Sequence, residues 1–131
     1  MHGDKGYSQK TQSGHASYYF SYPFLKVKGR LTFAGNTYNV TGNAWYDREW
    51  SASLLDKNQL GWDWFSIVDA QSAAQSEKQG LMLFCIRGNN NNYEYCSGTE
   101  IAPNGETTSL LKEDIKLSVI ETVTLNNHDY P

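Results

Sequence analysis

All four tryptophans of the chain lie between residues 42 and 66, in the stretch GNAWYDREWSASLLDKNQLGWDWFS. The candidate catalytic residues in it are Asp47, Arg48, Glu49 and Asp63, and the candidate substrate-binding residues are Trp45, Tyr46, Trp50, Trp62 and Trp64. A carboxyl group among indole rings is poorly hydrated, which raises its pKa and keeps it protonated. Such an acid can protonate a carbon–carbon double bond, and indole faces can stabilise the developing cation, so that water addition or ring closure follows.

The same residues also permit a structural interpretation. Tryptophans on β-strands are ordinary core residues, and Asp47, Arg48 and Glu49 could form a structural ion-pair network. Such networks also shift the pKa values of carboxyl groups, so a shifted pKa would not by itself identify a catalytic acid. The sequence alone leaves both interpretations open.

Alternating strands must position these side chains. In FLKVKGRLTF the alternation predicts that one set of residues faces inward, namely Leu25, Val27, Leu31 and Phe33, and that the polar residues between them face solvent. After the turn AGN, the same rule places Trp45, Asp47 and Glu49 on one face of the next strand. Arg48 and Trp50 then point to the opposite face.

A third strand, GWDWFSIVDA, places Trp62 and Trp64 on one face and Asp63 on the other. The segments LMLFCIR and YEYCSGTEI flank GNNNN, which is a hairpin tip in composition. A turn centred on this tip predicts that Arg87 lies opposite Glu94 and Cys85 opposite Cys96.

The two cysteines are therefore either a buried pair of free thiols or a cross-strand disulfide, and the sequence leaves both possibilities open. In all, we predict an all-β fold of about six or seven antiparallel strands, which close into a barrel or pack as a sandwich. A wide or partly open barrel leaves an interior for one small ligand.

Composition limits the other classes of function. The net charge of -3 without a basic block disfavours nucleic-acid binding. The three histidines lie near the ends, which disfavours a histidine triad or a metal site within the fold. No apolar run is long enough to span a bilayer, and the polar N-terminus shows no signal peptide. We expect residues 1–16 to be a flexible lead-in and residues 17–131 to form one β domain.

The segment from Ala16 to Ile67 resembles the lipocalin-like hydrolase and carotenoid 1,2-hydratase family, the AttH/CrtC-like group. The likeness rests on a tyrosine-rich strand containing SYP, then GNAWYDREWS, a loop and GWDWF, and it continues through LMLFCIR almost to the end of the chain. It implies a lipocalin-like β-barrel and an activity such as adding water to an isolated double bond of an acyclic carotenoid, without a metal or organic cofactor.

By this resemblance, the family's W-x-D-x-E-W and W-D-W positions fall on Trp45, Asp47, Glu49, Trp50, Trp62, Asp63 and Trp64. Arg48 stands where the family usually carries His, and a guanidinium does not give up its proton in proteins. Enzyme, non-catalytic binder of a small hydrophobic ligand, and structural half-barrel remain as hypotheses. The family is built of two such barrels, so we expect a second lipocalin-like domain or self-association. The residues themselves leave the location unknown, and the resemblance implies a bacterial periplasmic or membrane-associated one.

Overall fold

The computed structural model describes residues 1–11, 14–51, 55–69, 78–89 and 92–130. Across these residues it contains strands and one short 3-10 turn at Lys112–Asp114. The strands are β1 (Tyr7–Gln9), β2 (Ala16–Phe33), β3 (Asn36–Trp50), β4 (Gln59–Val68), β5 (Gly80–Gly88), β6 (Tyr93–Ile101), β7 (Thr107–Leu110), β8 (Val123–Leu125) and β9 (His128–Tyr130). All strand pairs are antiparallel, so the prediction of an all-β antiparallel fold is confirmed.

The strands form three hydrogen-bonded sheets, in the orders β1-β2-β3, β4-β5-β6-β7 and β8-β9. Within the described ranges, no strand pairing joins these sheets into a closed barrel. The first two sheets pack together through Tyr19 of β2 and a row of β5 side chains, Met82, Phe84 and Ile86, with Trp45 against the same cluster. Strand β5 is buried along nearly its whole length, because its sequence GLMLFCIRG offers apolar residues to both faces.

A β-bulge interrupts the pairing of β2 with β3. Tyr22 pairs with Tyr46 and Leu25 pairs with Ala44, so that Pro23 and Phe24 together stand opposite one residue of β3. Proline fits at such a position because it has no N–H to donate to the ladder. The extra residue moves the odd-numbered side chains of β2 from one face of the sheet to the other.

The outer part of the β2–β3 hairpin overturns one prediction from the alternation. Four residues expected to face inward are instead exposed by between 40% and 71%: Leu25, Val27, Leu31 and Phe33. Every residue from Leu25 to Phe33 is exposed, on both faces of the strand, because among the described residues no second sheet covers this part of the hairpin.

The hairpin of β5 and β6 confirms half of the predicted register. Cys85 lies directly opposite Cys96, and the two form a disulfide. The pairing of Arg87 with Glu94 is wrong, because a register shift after Ile86 brings Arg87 opposite Tyr93. Residues 90–91 of the predicted tip lie outside the described residues.

The N-terminal segment, predicted to be a flexible lead-in, has a defined place in the fold. Tyr7 pairs with Tyr18 and Gln9 with Ala16, which adds β1 to the edge of β2. His2 precedes this strand, and its backbone N–H donates to the carbonyl of Tyr19 at 3.1 Å. Its side chain is only 1% exposed, so the first residues of the chain contribute to the interior.

Candidate functional site

A cavity of about 770 Å³ lies between the first two sheets, within the range of small-molecule sites. Its apolar wall consists of Tyr19, Trp50, Leu55, Trp62, Trp64, Phe84 and Ile86. Its polar part includes Lys10, His15, Ser17, Glu49, Asp56 and Lys57. The cavity therefore combines aromatic walls with a small group of charged side chains on one side.

Strand alternation explains how β3 and β4 supply this wall. Trp62 and Trp64 both reach the cavity, as expected for two residues on one face of β4. Glu49 reaches it from β3. Trp50, the last residue of β3, contributes to the rim, while its ring also packs against Tyr18 with the ring centroids 6.2 Å apart.

Asp47 lies behind the cavity wall and accepts three hydrogen bonds. The Nε1–H of Trp45 donates to its Oδ1 at 2.6 Å, and the hydroxyl of Tyr19 donates to its Oδ2 at 2.9 Å. The hydroxyl of Ser21 donates to the same carboxyl group. Because Tyr19 stands in the wall itself, Asp47 meets the cavity only through that phenol.

Tyr19 links Asp47 to the indole of Trp64. The Nε1–H of Trp64 donates to the Tyr19 hydroxyl at 3.0 Å, so the phenol accepts one hydrogen bond and gives its own proton to Asp47. Burial and the hydrogen bond to Asp47 raise the pKa of Tyr19. The phenol therefore stays protonated and fixes the orientation of the Trp64 ring.

His2 continues this polar network on the side away from the cavity. Its Nε2 lies 2.7 Å from the Ser21 hydroxyl, and its Nδ1 lies 2.8 Å from the Thr99 hydroxyl. Since Ser21 gives its proton to Asp47, the serine must accept from His2, which places the histidine proton on Nε2. Nδ1 then accepts from Thr99. Burial, helped by the nearby N-terminal ammonium, lowers the pKa of His2 to about 4, so the ring is neutral at pH 7.

This arrangement differs from a hydrolytic triad even though it contains Ser, His and Asp. In a triad the histidine lies between the serine and the acid and removes the serine proton. Here Ser21 lies between His2 and Asp47 and is already a donor to the carboxylate. The geometry holds Asp47 in position and does not activate Ser21 as a nucleophile.

Glu49 is the carboxyl group of the predicted set that faces the cavity directly. It forms an ion pair with Lys10, with Nζ and Oε1 2.8 Å apart, and accepts a hydrogen bond from Ser17 at 2.5 Å. The Lys10 ammonium also lies 3.9 Å from the ring centroid of Phe84, a cation–π contact. Burial lowers the pKa of Lys10 despite the opposing effect of Glu49.

Besides Asp47, four predicted residues do not line the cavity: Trp45, which packs against the core cluster, and Asp63, Arg48 and Tyr46. Asp63 points to the other face of β4, where it accepts from the Tyr93 hydroxyl at 2.6 Å and lies 3.5 Å from Arg87. The hydrogen bond to Asp63 raises the pKa of Tyr93. Arg48 and Tyr46 are exposed, on the face of β3 opposite Asp47 and Glu49.

Among the residues that sequence reasoning missed and the fold brings to the site are His2, Lys10, Ser21 and Tyr19. The first two fall in the segment predicted to be a lead-in. Tyr19 and Ser21 alternate with Phe20 in the tyrosine-rich strand, and their parity is a signal that could have placed them on one face. For His2 and Lys10 the sequence carries no such signal.

Two further searches cover the described ranges. No three His, Cys, Asp or Glu side chains in them converge closely enough to hold a metal ion. No helix in the same ranges is long and apolar enough to cross a bilayer.

A family model described as AttH-like matches residues 1–131. The chain belongs to the AttH-like family. The predicted resemblance is confirmed at that level, and the network around Asp47 is thus built from the tryptophan-rich motif of an AttH-like chain. No curated protein matches the sequence.

This AttH-like chain is also similar to a protein from Nitrosomonas europaea that has been assigned as AttH and whose crystal structure is known at 2.00 Å resolution. The sequences are 33% identical, and the TM-score is 0.86. The match covers 98% of this chain and 39% of the Nitrosomonas chain. The AttH-like chain thus spans well under half the length of that relative.

Proposed function

We propose that this AttH-like chain forms the substrate cavity of a cofactor-free hydratase or hydrolase that acts on a small hydrophobic substrate of isoprenoid or lipid type. The observation that carries the proposal is the cavity itself. Its walls are largely aromatic, and its polar part holds the ion pair of Lys10 and Glu49. Apolar walls with a few convergent polar groups are typical of small-molecule sites.

Glu49 is the group to which we assign proton transfer with the substrate. Its carboxyl group is held by Ser17 and Lys10, and about two-fifths of its side chain is exposed, so that substrate and water can both reach it. In a hydration, one alkene carbon gains a proton and the other gains the hydroxyl group of water. In its protonated form Glu49 would give a proton to one alkene carbon, and its carboxylate would take a proton back from the water that attacks the other carbon, while the Lys10 ammonium stabilises the carboxylate between the two steps.

The aromatic residues have a second role in this proposal. Trp62 and Trp64 present their rings to the cavity, where indole faces attract a developing positive charge. Asp47 acts indirectly, because it holds the Tyr19 phenol and through it the Trp64 indole. We infer further that the two sheets belong to a lipocalin-like barrel, with the cavity as part of its interior and its remaining strands supplied by the rest of an AttH-like protein.

Turnover of squalene, an acyclic isoprenoid, in ¹⁸O-labelled water tests the enzymatic proposal. Glu49→Gln removes the ionisable group with little change in shape, and we expect product formation to fall by about 100-fold or more. Asp63→Asn is the matched control, because Asp63 is a strand carboxylate outside the cavity. Equal turnover by both variants and the unchanged chain would contradict the role of Glu49.

A non-catalytic binder of a hydrophobic ligand is the second candidate. It is favoured by the hydrogen bonds and the ion pair that already engage both Asp47 and Glu49. Under this alternative, squalene quenches tryptophan fluorescence equally in the unchanged chain and in Glu49→Gln, and no labelled alcohol forms.

A further inference from the structure

The sheet of β1, β2 and β3 has one face toward the cavity and one face toward solvent, which we call the outer face. Six aromatic side chains cluster on it: Tyr7, Tyr18, Phe20, Tyr22, Tyr46 and Trp50. The Tyr18 and Trp50 rings stack with centroids 6.2 Å apart, and both side chains are more than half exposed. Aromatic clusters of this kind normally lie inside a domain or an interface.

The bulge at Pro23 and Phe24 extends this apolar surface along the β2–β3 hairpin. Residues displaced by the bulge share the face of Tyr46, because Leu25 pairs with Ala44 and Leu31 with Tyr38. The opposite face of the same hairpin carries Lys26, Lys28 and Arg30, whose cross-strand partners are polar.

The two faces of this sheet have an unusual distribution of polarity. The cavity face carries Ser17, Ser21, Asp47 and Glu49, whereas the outer face carries Arg48 among tyrosines, tryptophan and aliphatic residues. Ten large hydrophobic side chains of the outer face are at least 40% exposed. Together they present on the order of 1,000 Å², against the roughly 800 Å² per partner of a standard stable interface.

We propose that the outer face is the docking surface for the part of an AttH-like protein that lies outside the region matched by this chain. The Nitrosomonas relative supplies the reason for this choice of occupant. The matched region is only 39% of its chain, so the larger part of that protein remains to be placed around the same strands. A surface this apolar, with one arginine, fits a permanent contact within one protein better than a transient contact, which would be more polar.

Covalent footprinting with hydroxyl radicals tests the proposal. The unchanged chain is compared with a chimera in which it replaces the matched region of the full-length Nitrosomonas relative. We expect oxidation of Phe33 and Tyr38 to fall at least fivefold in the chimera. Acetylation of Lys28, on the opposite face of the hairpin, serves as the control for general access and should change less than twofold.

A pair of substitutions gives an independent measurement. In the isolated chain, Leu31→Glu and Lys28→Glu should both leave the midpoint of thermal unfolding nearly unchanged, because both side chains are exposed. In the chimera, Leu31→Glu should lower the midpoint by about 5 °C or more, and Lys28→Glu should not, because only the first buries a charge.

Unchanged oxidation of the outer face in the chimera would overturn the proposal. Protection that appears in the isolated chain as its concentration rises, with a dimer in native mass spectrometry, would instead identify a second copy as the occupant and also overturn it. If the chimera does not fold, footprinting of the unmodified Nitrosomonas protein at the aligned positions decides between the same outcomes. None of these results depends on turnover of squalene.

Discussion

His2 should make the stability of this protein sensitive to mild acid. Its pKa is about 4 in the folded chain, against 6.5 for an ordinary histidine, chiefly because the ring is buried. Between these values the unfolded chain binds a proton that the folded chain does not bind, so acid favours unfolding. The contribution of His2 is fully present above about pH 6.5 and is lost as the pH falls toward about 4.

The size of the effect follows from the difference between the two pKa values. A difference of one pKa unit corresponds to about 1.4 kcal/mol, so the full loss is about 3 kcal/mol and the loss at about pH 5 is about 2 kcal/mol. Other groups titrate in the same range, and a comparison with His2→Gln removes their contribution. Glutamine can still offer an N–H to Ser21 but does not titrate.

Urea unfolding, followed by tryptophan fluorescence at pH 7 and pH 5, measures this difference. We expect the stability advantage of the unchanged chain over His2→Gln to shrink by about 2 kcal/mol between the two conditions. His128→Gln, at an exposed histidine of β9, is the control for the replacement itself. If the difference between the unchanged chain and His2→Gln is the same at both pH values, the buried neutral histidine is not the origin of any acid sensitivity.

Three further predictions concern the network, the disulfide and the packing of the second sheet. Tyr19→Phe removes the hydroxyl between Trp64 and Asp47 and should destabilise the chain by about 1–3 kcal/mol in urea unfolding, whereas Tyr18→Phe, on the exposed face, should change stability by less than about 0.5 kcal/mol. Replacing Cys85 and Cys96 by Ala together should lower stability by about 3 kcal/mol, since their bond closes a loop with a sequence separation of 11, and a reductant should then affect only the unchanged chain. Gly98→Ala should destabilise the chain by about 1–3 kcal/mol, because the added methyl group would lie 3.1 Å from the Met82 carbonyl oxygen. Gly29→Ala is the control, because there is open space around Gly29. Equal unfolding midpoints for the two alanine variants would contradict the tight packing of β6 on β5.

Local periodicity was enough to predict the parts of the site that lie on one strand. The alternation in β3 placed Trp45 and Asp47 on one side, where the indole donates to the carboxyl group, and the alternation in β4 brought Trp62 and Trp64 to the same wall. The hairpin composition of GNNNN likewise placed Cys85 opposite Cys96. These features depend on neighbours in sequence, whose relative directions are fixed by the geometry of an extended chain.

The errors arose where one residue changed the register. The shift after Ile86 separated Arg87 from Glu94, so that Arg87 lies near Asp63 instead. Composition shows that a hairpin turns, but it does not show where an extra residue is accommodated. That choice depends on the contacts that a whole strand makes with both of its neighbours.

The sequence by itself determined that this chain is an antiparallel β protein of the AttH-like family, with its tryptophans and Asp47 on shared strand faces, because alternation and motif spacing are properties of short segments. Only the tertiary structure brought His2 and Lys10 against that motif and turned the apolar side of the β2–β3 hairpin outward. Contacts between segments far apart in sequence form where two sheets can pack and fill space together, and no local pattern encodes which distant side chains will meet there.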